Sequence, residues 1–303
     1  RDEELVALLE AALAALGPTD NPLRPRVLAR LAEEVAFSDA CERRESLCQE
    51  AAAMARRLGD PGVLASVLRA THWATWVPES LEARVALSDE LVRLWEATGD
   101  RAMSLEGRWL RICDLLELGQ VPAAARDLDV CCRLAEELRQ PYHTWIVAIF
   151  RVLLAFARGR LGDVEPLAQR ALEIGQEGQN QNALLVFGLH TMVLQRERGM
   201  DEWSDLVEGF ATTYRPIEQN LRCARALGLF DAGRPDEARA EFGRLAADDF
   251  RSVPRTVAGL YSFAFLAEVC HGLGDAARAR ILYTRLARFA GRNITIGPVL
   301  AFG

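Results

Sequence analysis

Seven cysteines, four histidines, six tryptophans and an unusual set of arginines are the residues with chemistry to offer in this 303-residue chain. The cysteines stand at 41, 48, 113, 131, 132, 223 and 270, an odd number without a C-x-x-C pair. Disulfide frameworks and structural metal sites need regular spacing, so these residues read as small hydrophobes in a reducing cytoplasm. Cys131 and Cys132 are adjacent, but neighbouring residues on a helix point about 100 degrees apart, which argues against a redox pair. His72, His143, His190 and His271 are too scattered to form a ligand set, and His271 reads as a helix-end residue placed favourably by the helix dipole. No H-E-x-x-H, G-x-S-x-G or strand-borne phosphate loop is present. The carboxylate pairs Glu33-Glu34, Glu136-Glu137 and Asp248-Asp249 fall at helix ends or on polar faces, where solvated charge belongs. No catalytic residue, metal ligand or cofactor is expected, and the chain reads as a non-enzyme.

Two groups of residues suit binding better than catalysis. Arg111, Arg151 and Arg225 each lie eight residues before a recurring glycine, with Arg108 and Arg222 three residues earlier in two of the segments. Equivalent positions in stacked repeats line up as a column, so these five arginines could form a stripe for an acidic peptide or a phosphate. The alternative is ordinary pairing with Glu106, Asp114, Glu117 or neighbouring helices. Trp73 and Trp76 share a helical face, and Trp109 lies on the next segment of the same type. Indoles at this spacing are core residues or, on an inner face, anchors for a peptide or apolar ligand.

The elements that must hold these residues are helices. Apolar residues recur at helical spacing, as in Leu81, Val85, Val92 and Trp95, and alternating strand patterns are almost absent. The punctuation is short: Gly17-Pro18, Gly59-Asp60-Pro61, Gly99-Asp100, Gly119-Gln120, Gln140-Pro141, Gly233-Arg234-Pro235 and Gly274-Asp275, each suited to a helix stop followed by a start. Helices joined so tightly pack as antiparallel neighbours.

Composition removes several classes of function. Half the residues are hydrophobic and 26% are charged, as in a folded chain. All 36 basic residues are arginine, which excludes Schiff-base lysines and the lysine of a phosphate loop. The formal charge of −7 and pI near 5.3 argue against direct nucleic-acid binding over a broad surface. The longest apolar run, Trp145–Ala157, is interrupted by Arg151 and falls short of the roughly 20 residues of a membrane helix. A cytoplasmic location is expected. The chain starts at Arg1 without a signal sequence and ends in Ile294–Gly303, a stretch that reads as the opening of another helix, so it is taken as part of something longer.

Glycines at 119, 159, 199, 233 and 274 are separated by 40, 40, 34 and 41 residues. Five positions after them stand Ala124, Val164, Ser204, Ala238 and Ala279, and twelve positions after them Cys131, Ala171, Ala211, Leu245 and Leu286. This pattern resembles the tetratricopeptide repeat, matched best by Gly233, Ala238, Phe242 and Leu245 and by Gly274, Ala279, Tyr283 and Leu286. The first-helix glycine of that family is replaced by Ile112, Val152, Met192, Ala226 and Ala267. The resemblance implies a right-handed α-solenoid of about seven helix pairs, an all-α fold in a single domain over 1–303. An entry helix at about 3–16 precedes pairs at about 23–58, 61–98, 101–138, 141–178, 181–213, 216–248 and 254–290, and a truncated repeat occupies 294–303. The weakest joints are expected at Gly178–Asn182 and around Met200–Pro216, where Ser204 and Glu208 occupy motif positions.

A second resemblance covers roughly 41–293. The runs Ala52–Pro61, Leu94–Asp100, Asp114–Gly119, Leu245–Phe250 and Leu273–Ala279 are similar to the helical-repeat region of large actinobacterial ATP-binding LuxR-type regulators and their cyclase-linked relatives. It implies a sensor and interaction arm of a signalling or transcriptional regulator, taking a peptide, partner domain or small effector on its concave face. Its binding residues would be Trp73, Trp76, Arg108, Trp109, Arg111, Arg151, Arg222 and Arg225. The alternative is a ligand-free scaffold that associates with a second copy.

Overall fold

The computed structural model describes residues 3–35, 41–200, 203, 206–207, 209, 218–253, 258–298 and 300–302. Most of the residues expected to form the second helix of the 181–213 pair, Ser204 and Glu208 included, lie outside the described residues. The helices are α1 (Glu3–Leu16), α2 (Leu23–Glu34), α3 (Cys41–Leu58), α4 (Pro61–Ala74), α5 (Leu81–Thr98), α6 (Arg101–Glu117), α7 (Val121–Leu138), α8 (Pro141–Ala157) and α9 (Leu161–Glu177). They continue as α10 (Ala183–Glu197), α11 (Glu218–Asp231), α12 (Pro235–Leu245), α13 (Gly259–Gly272) and α14 (Ala276–Leu286). Among the described residues the protein is all-helical apart from a short terminal hairpin. None of the described helices is long and apolar enough to cross a membrane.

The helix boundaries have local causes. Each of the five periodic glycines has φ between 66° and 72°, a conformation that costs glycine nothing and an L side chain about 1 kcal/mol or more. At Gly119 the glycine N–H donates to the Leu116 carbonyl and the Gln120 N–H to the Leu115 carbonyl, and the same two bonds recur at Gly159, Gly199, Gly233 and Gly274. This paired bond satisfies two of the carbonyls that a helix C-terminus leaves open. Starts are equally direct: the Asp60 carboxylate accepts from the Val63 N–H at 2.9 Å ahead of Pro61, and Asp275 accepts from the Arg278 N–H at 3.1 Å.

Packing groups the residues into two compact units, Arg1–Asp114 and Leu115–Gly303. In unit 1, α2 packs on α1, α3 and α4, and α4 on α5. Its core joins Leu28, Ala29, Ala51, Ala55, Val63 and Val67, with Val6, Leu31 and Val35 clustered under α1. In unit 2, α8 packs against α7 and α9, α9 against α10, and α11 against α12 and α13. One core runs from Val152 and Phe156 through Trp203, Phe242 and Phe250 to Phe265 and Leu282.

The stretch Ile294–Gly303, read from sequence as the opening of a helix, instead contains two antiparallel strands, β1 (Ile294–Ile296) and β2 (Leu300–Phe302). Ile294 pairs with Phe302 and Ile296 with Leu300. The reason is local: the β-branched run Ile-Thr-Ile favours a pleated chain, and Gly297 at φ 50° followed by Pro298 forces a turn. β1 packs beside α13 and β2 beside α8, with Ile294 and Ile296 against the unit 2 core.

Candidate functional site

The three predicted tryptophans come together in unit 1. The ring centroids of Trp73 and Trp76 lie 5.0 Å apart and those of Trp73 and Trp109 5.5 Å apart. Trp76 and Trp109 are buried, and Trp73 alone keeps a partly exposed edge. Trp76 meets His72 edge-on at 5.1 Å, and the Arg84 guanidinium lies 5.1 Å from the Trp76 ring centroid.

Beneath these rings is a polar knot that the sequence reading did not assemble. Asp114 on α6 accepts from Arg84 at 2.5 Å on one oxygen, and from His72 Nε2 and the Ser88 hydroxyl at 2.8 and 2.9 Å on the other. All four residues are completely buried. Serine, aspartate and histidine invite comparison with a hydrolytic triad, but there the histidine bridges the other two. Here the carboxylate takes both bonds, Ser88 is bonded to Asp114 and not to His72, and no surface opens onto them. The arrangement locks α4, α5 and α6 together.

The arginine column divides. Arg111 pairs with Asp89 at 3.1 Å and Arg108 with Glu96, both carboxylates on α5. Arg222 and Arg225 reach Glu241 on α12 at 2.7 and 3.5 Å, and Arg244 joins them. Four of the five predicted arginines therefore bind the protein's own carboxylates. Arg151 differs: its guanidinium donates to the Cys132 sulfur at 3.5 Å and meets no carboxylate among the described residues.

Glu241, 1% exposed, is the centre of that second cluster. Burial pushes its carboxyl up, yet the hydrogen bonds from Arg244 and Arg222 and their charges outweigh burial and hold it below the usual range. A carboxyl depressed on folding contributes stability that is present above its unfolded pKa, about 4.3, and is lost as pH falls through the folded value. Glu241→Gln is therefore expected to flatten the acid limb of unit 2 stability below about pH 5. Urea midpoints across the acid range measure this, and an unchanged slope would count against the role given to Glu241.

Cysteine environments separate as sharply. Cys131 is buried at its repeat position, whereas Cys132 is partly exposed. Burial pushes the Cys48 thiol up to about 11 and the Cys223 thiol up to about 12. A thiol near 11 is only about one part in a thousand thiolate at pH 8. Iodoacetamide at that pH is expected to label Cys132 at least tenfold faster than either, as read by site-resolved mass spectrometry. Cys48 also stands beside a cleft of about 510 Å³ between α3, α4 and α5, walled by Val77, Ala83 and Leu87, with Thr71 and Arg44 as polar neighbours.

In unit 2 the terminal hairpin and the two residues before it make polar contacts with the end of α6. The Asn293 backbone N–H donates to the Glu117 carbonyl at 2.9 Å, and its side-chain amide to the Leu116 carbonyl at 2.9 Å. The buried Thr295 hydroxyl lies 3.4 Å from a Glu117 carboxylate oxygen, and Arg292 lies 3.8 Å from the other. Among the described residues no group of three histidine, cysteine or acidic side chains could hold a metal ion. No protein-family model matches the chain, and no curated protein matches it.

Proposed function

We propose that this chain is a non-enzymatic binding and regulatory module, a right-handed α-solenoid of tetratricopeptide-like helix pairs. It serves in a cytoplasmic bacterial signalling or transcriptional regulator of the LuxR-related type and takes an extended peptide or partner segment on the face made by the first helices of its pairs. The observation that carries this reading is the seat of the terminal hairpin. An extended chain lies beside α8 and α13, two such first helices, with Asn293 satisfying carbonyls at the end of a third, α6. The packing of Ile294 and Ile296 on the core supplies affinity in such a seat, and the two hydrogen bonds from Asn293 fix the position of the segment. The recurring glycine caps support the solenoid architecture, since each closes a first helix in the same geometry. A small effector would act by favouring one curvature of the repeats over another.

The test removes the occupant and returns it in trans. A chain ending at residue 290 is expected to bind a synthetic peptide of residues 291–303, while the full chain does not, and Asn293→Ala in the peptide is expected to weaken binding about fivefold to tenfold. Fluorescence anisotropy reads both, with circular dichroism to establish that the shortened chain is folded. A folded shortened chain that ignores the peptide refutes the reading. A concentration-dependent dimer in light scattering that persists without any peptide effect favours the self-association scaffold.

A further inference from the structure

We propose that the cleft between α7, α8 and α9 is a binding site for a small organic anion, a molecule carrying a phosphoryl or carboxylate group on an apolar body. Three guanidiniums line it: Arg151 on α8, Arg158 at the end of that helix and Arg160 at the start of α9. Arg151 and Arg158 are two helical turns apart on one face, with Leu154 between them. Neither has a carboxylate within salt-bridge reach among the described residues, in contrast to Arg108, Arg111, Arg222 and Arg225. Arg160 is 3.5 Å from Asp163. A single carboxylate, Asp129, stands on the lining, so the cleft is a positive site on a chain whose formal charge is −7.

The rest of the cleft selects the kind of anion. Its volume is about 440 Å³, within the range of small-molecule sites, and Leu128, Leu154 and Leu167 line it beside the arginines. An inorganic ion would leave that apolar surface uncovered, whereas an aryl or alkyl phosphate or carboxylate would place its oxygens on the guanidinium forks and its body on the leucines. Cys132 lines the same cleft with its thiol against Arg151, so an occupant would shield that sulfur. None of the residues lining the cleft takes part in the hydrogen bonds that hold Asn293 and Thr295, and its test is read independently of the peptide experiment.

Isothermal titration of the full chain with phenyl phosphate, benzoate, inorganic phosphate and phenol tests this. Phenyl phosphate or benzoate is expected to bind one per chain, the stronger of the two identifying the acid group, with inorganic phosphate at least about tenfold weaker and phenol not binding. Arg151→Ala with Arg158→Ala is expected to weaken the organic anion at least about tenfold while leaving the melting temperature unchanged, because both side chains are exposed. Saturating ligand should also slow iodoacetamide labelling of Cys132 in the unsubstituted chain. The proposal is overturned if neither organic anion binds at millimolar concentration, if phenol binds as well as the anions, if the double variant retains full affinity, or if occupancy leaves Cys132 labelling unchanged.

Discussion

Replacing Asp114 with alanine is expected to cost unit 1 about 3–5 kcal/mol. The carboxylate is completely buried and is the partner of three buried groups, Arg84, His72 and Ser88. Removing it takes from the buried Arg84 guanidinium the carboxylate bonded to it at 2.5 Å, and breaking one side of a buried pair costs more than the intact pair returns. The loss should appear as a lower urea midpoint for unit 1 and faster hydrogen exchange along α4 and α5. Asp114→Leu combined with Arg84→Met removes both charges together and is expected to recover much of the loss. A single-variant cost below about 1 kcal/mol would show that water reaches Arg84 and that the knot is not a dry ion pair.

Gly175→Ala is expected to destabilise unit 2 by about 1–3 kcal/mol, although alanine is the better helix former by about 1 kcal/mol. A Cβ at Gly175 would stand 2.5 Å from the Ala183 Cβ and 2.6 Å from the Trp145 Nε1. The Ala183 Cβ is fixed to its backbone and cannot rotate away, and Trp145 is buried, so α8, α9 and α10 must move apart. Gly243→Ala is the matched control, since its Cβ would meet nothing within 4 Å inside α12. That substitution is expected to stabilise by about 0.5–1 kcal/mol. Equal effects at both positions in thermal or urea unfolding would discard the close-packing account.

The helix ends were legible because the signal is local: a glycine with positive φ stops a helix whatever surrounds it, and Gly119 through Gly274 do so identically. Trp73 and Trp76 were legible as neighbours for the same reason. The polar knot was missed although a signal existed. The buried stripe of α5 runs Leu81, Arg84, Ser88, Leu91, Val92 and Trp95, while the apolar reading took Val85 in place of the two polar residues. A polar pair on a core-facing stripe announces a buried partner, but only tertiary packing identifies it as Asp114. The arginine column shows the same limit. Equal repeat positions predicted equal roles, yet the acidic residues that claim Arg108, Arg111, Arg222 and Arg225 lie on other helices, and sequence spacing does not disclose which arginine will be left without one. The terminal hairpin departs from the helix expected over Ile294–Gly303 because the β-branched run and the Gly-Pro turn decide the backbone locally.

The bond from Asn293 to Leu116 joins residues 177 positions apart, in a unit built mainly from helices touching their sequence neighbours. Contacts between sequence neighbours close short loops and cost little chain entropy to form. A clasp between Asn293 and the end of α6 adds a closure whose entropy must be met before the two Asn293 hydrogen bonds are gained. Such a contact is expected to form after the helices between are in place. Because both bonds come from Asn293, hydrogen exchange of its backbone amide is expected to report the parting of two segments far apart in sequence, and not the local opening of one helix end.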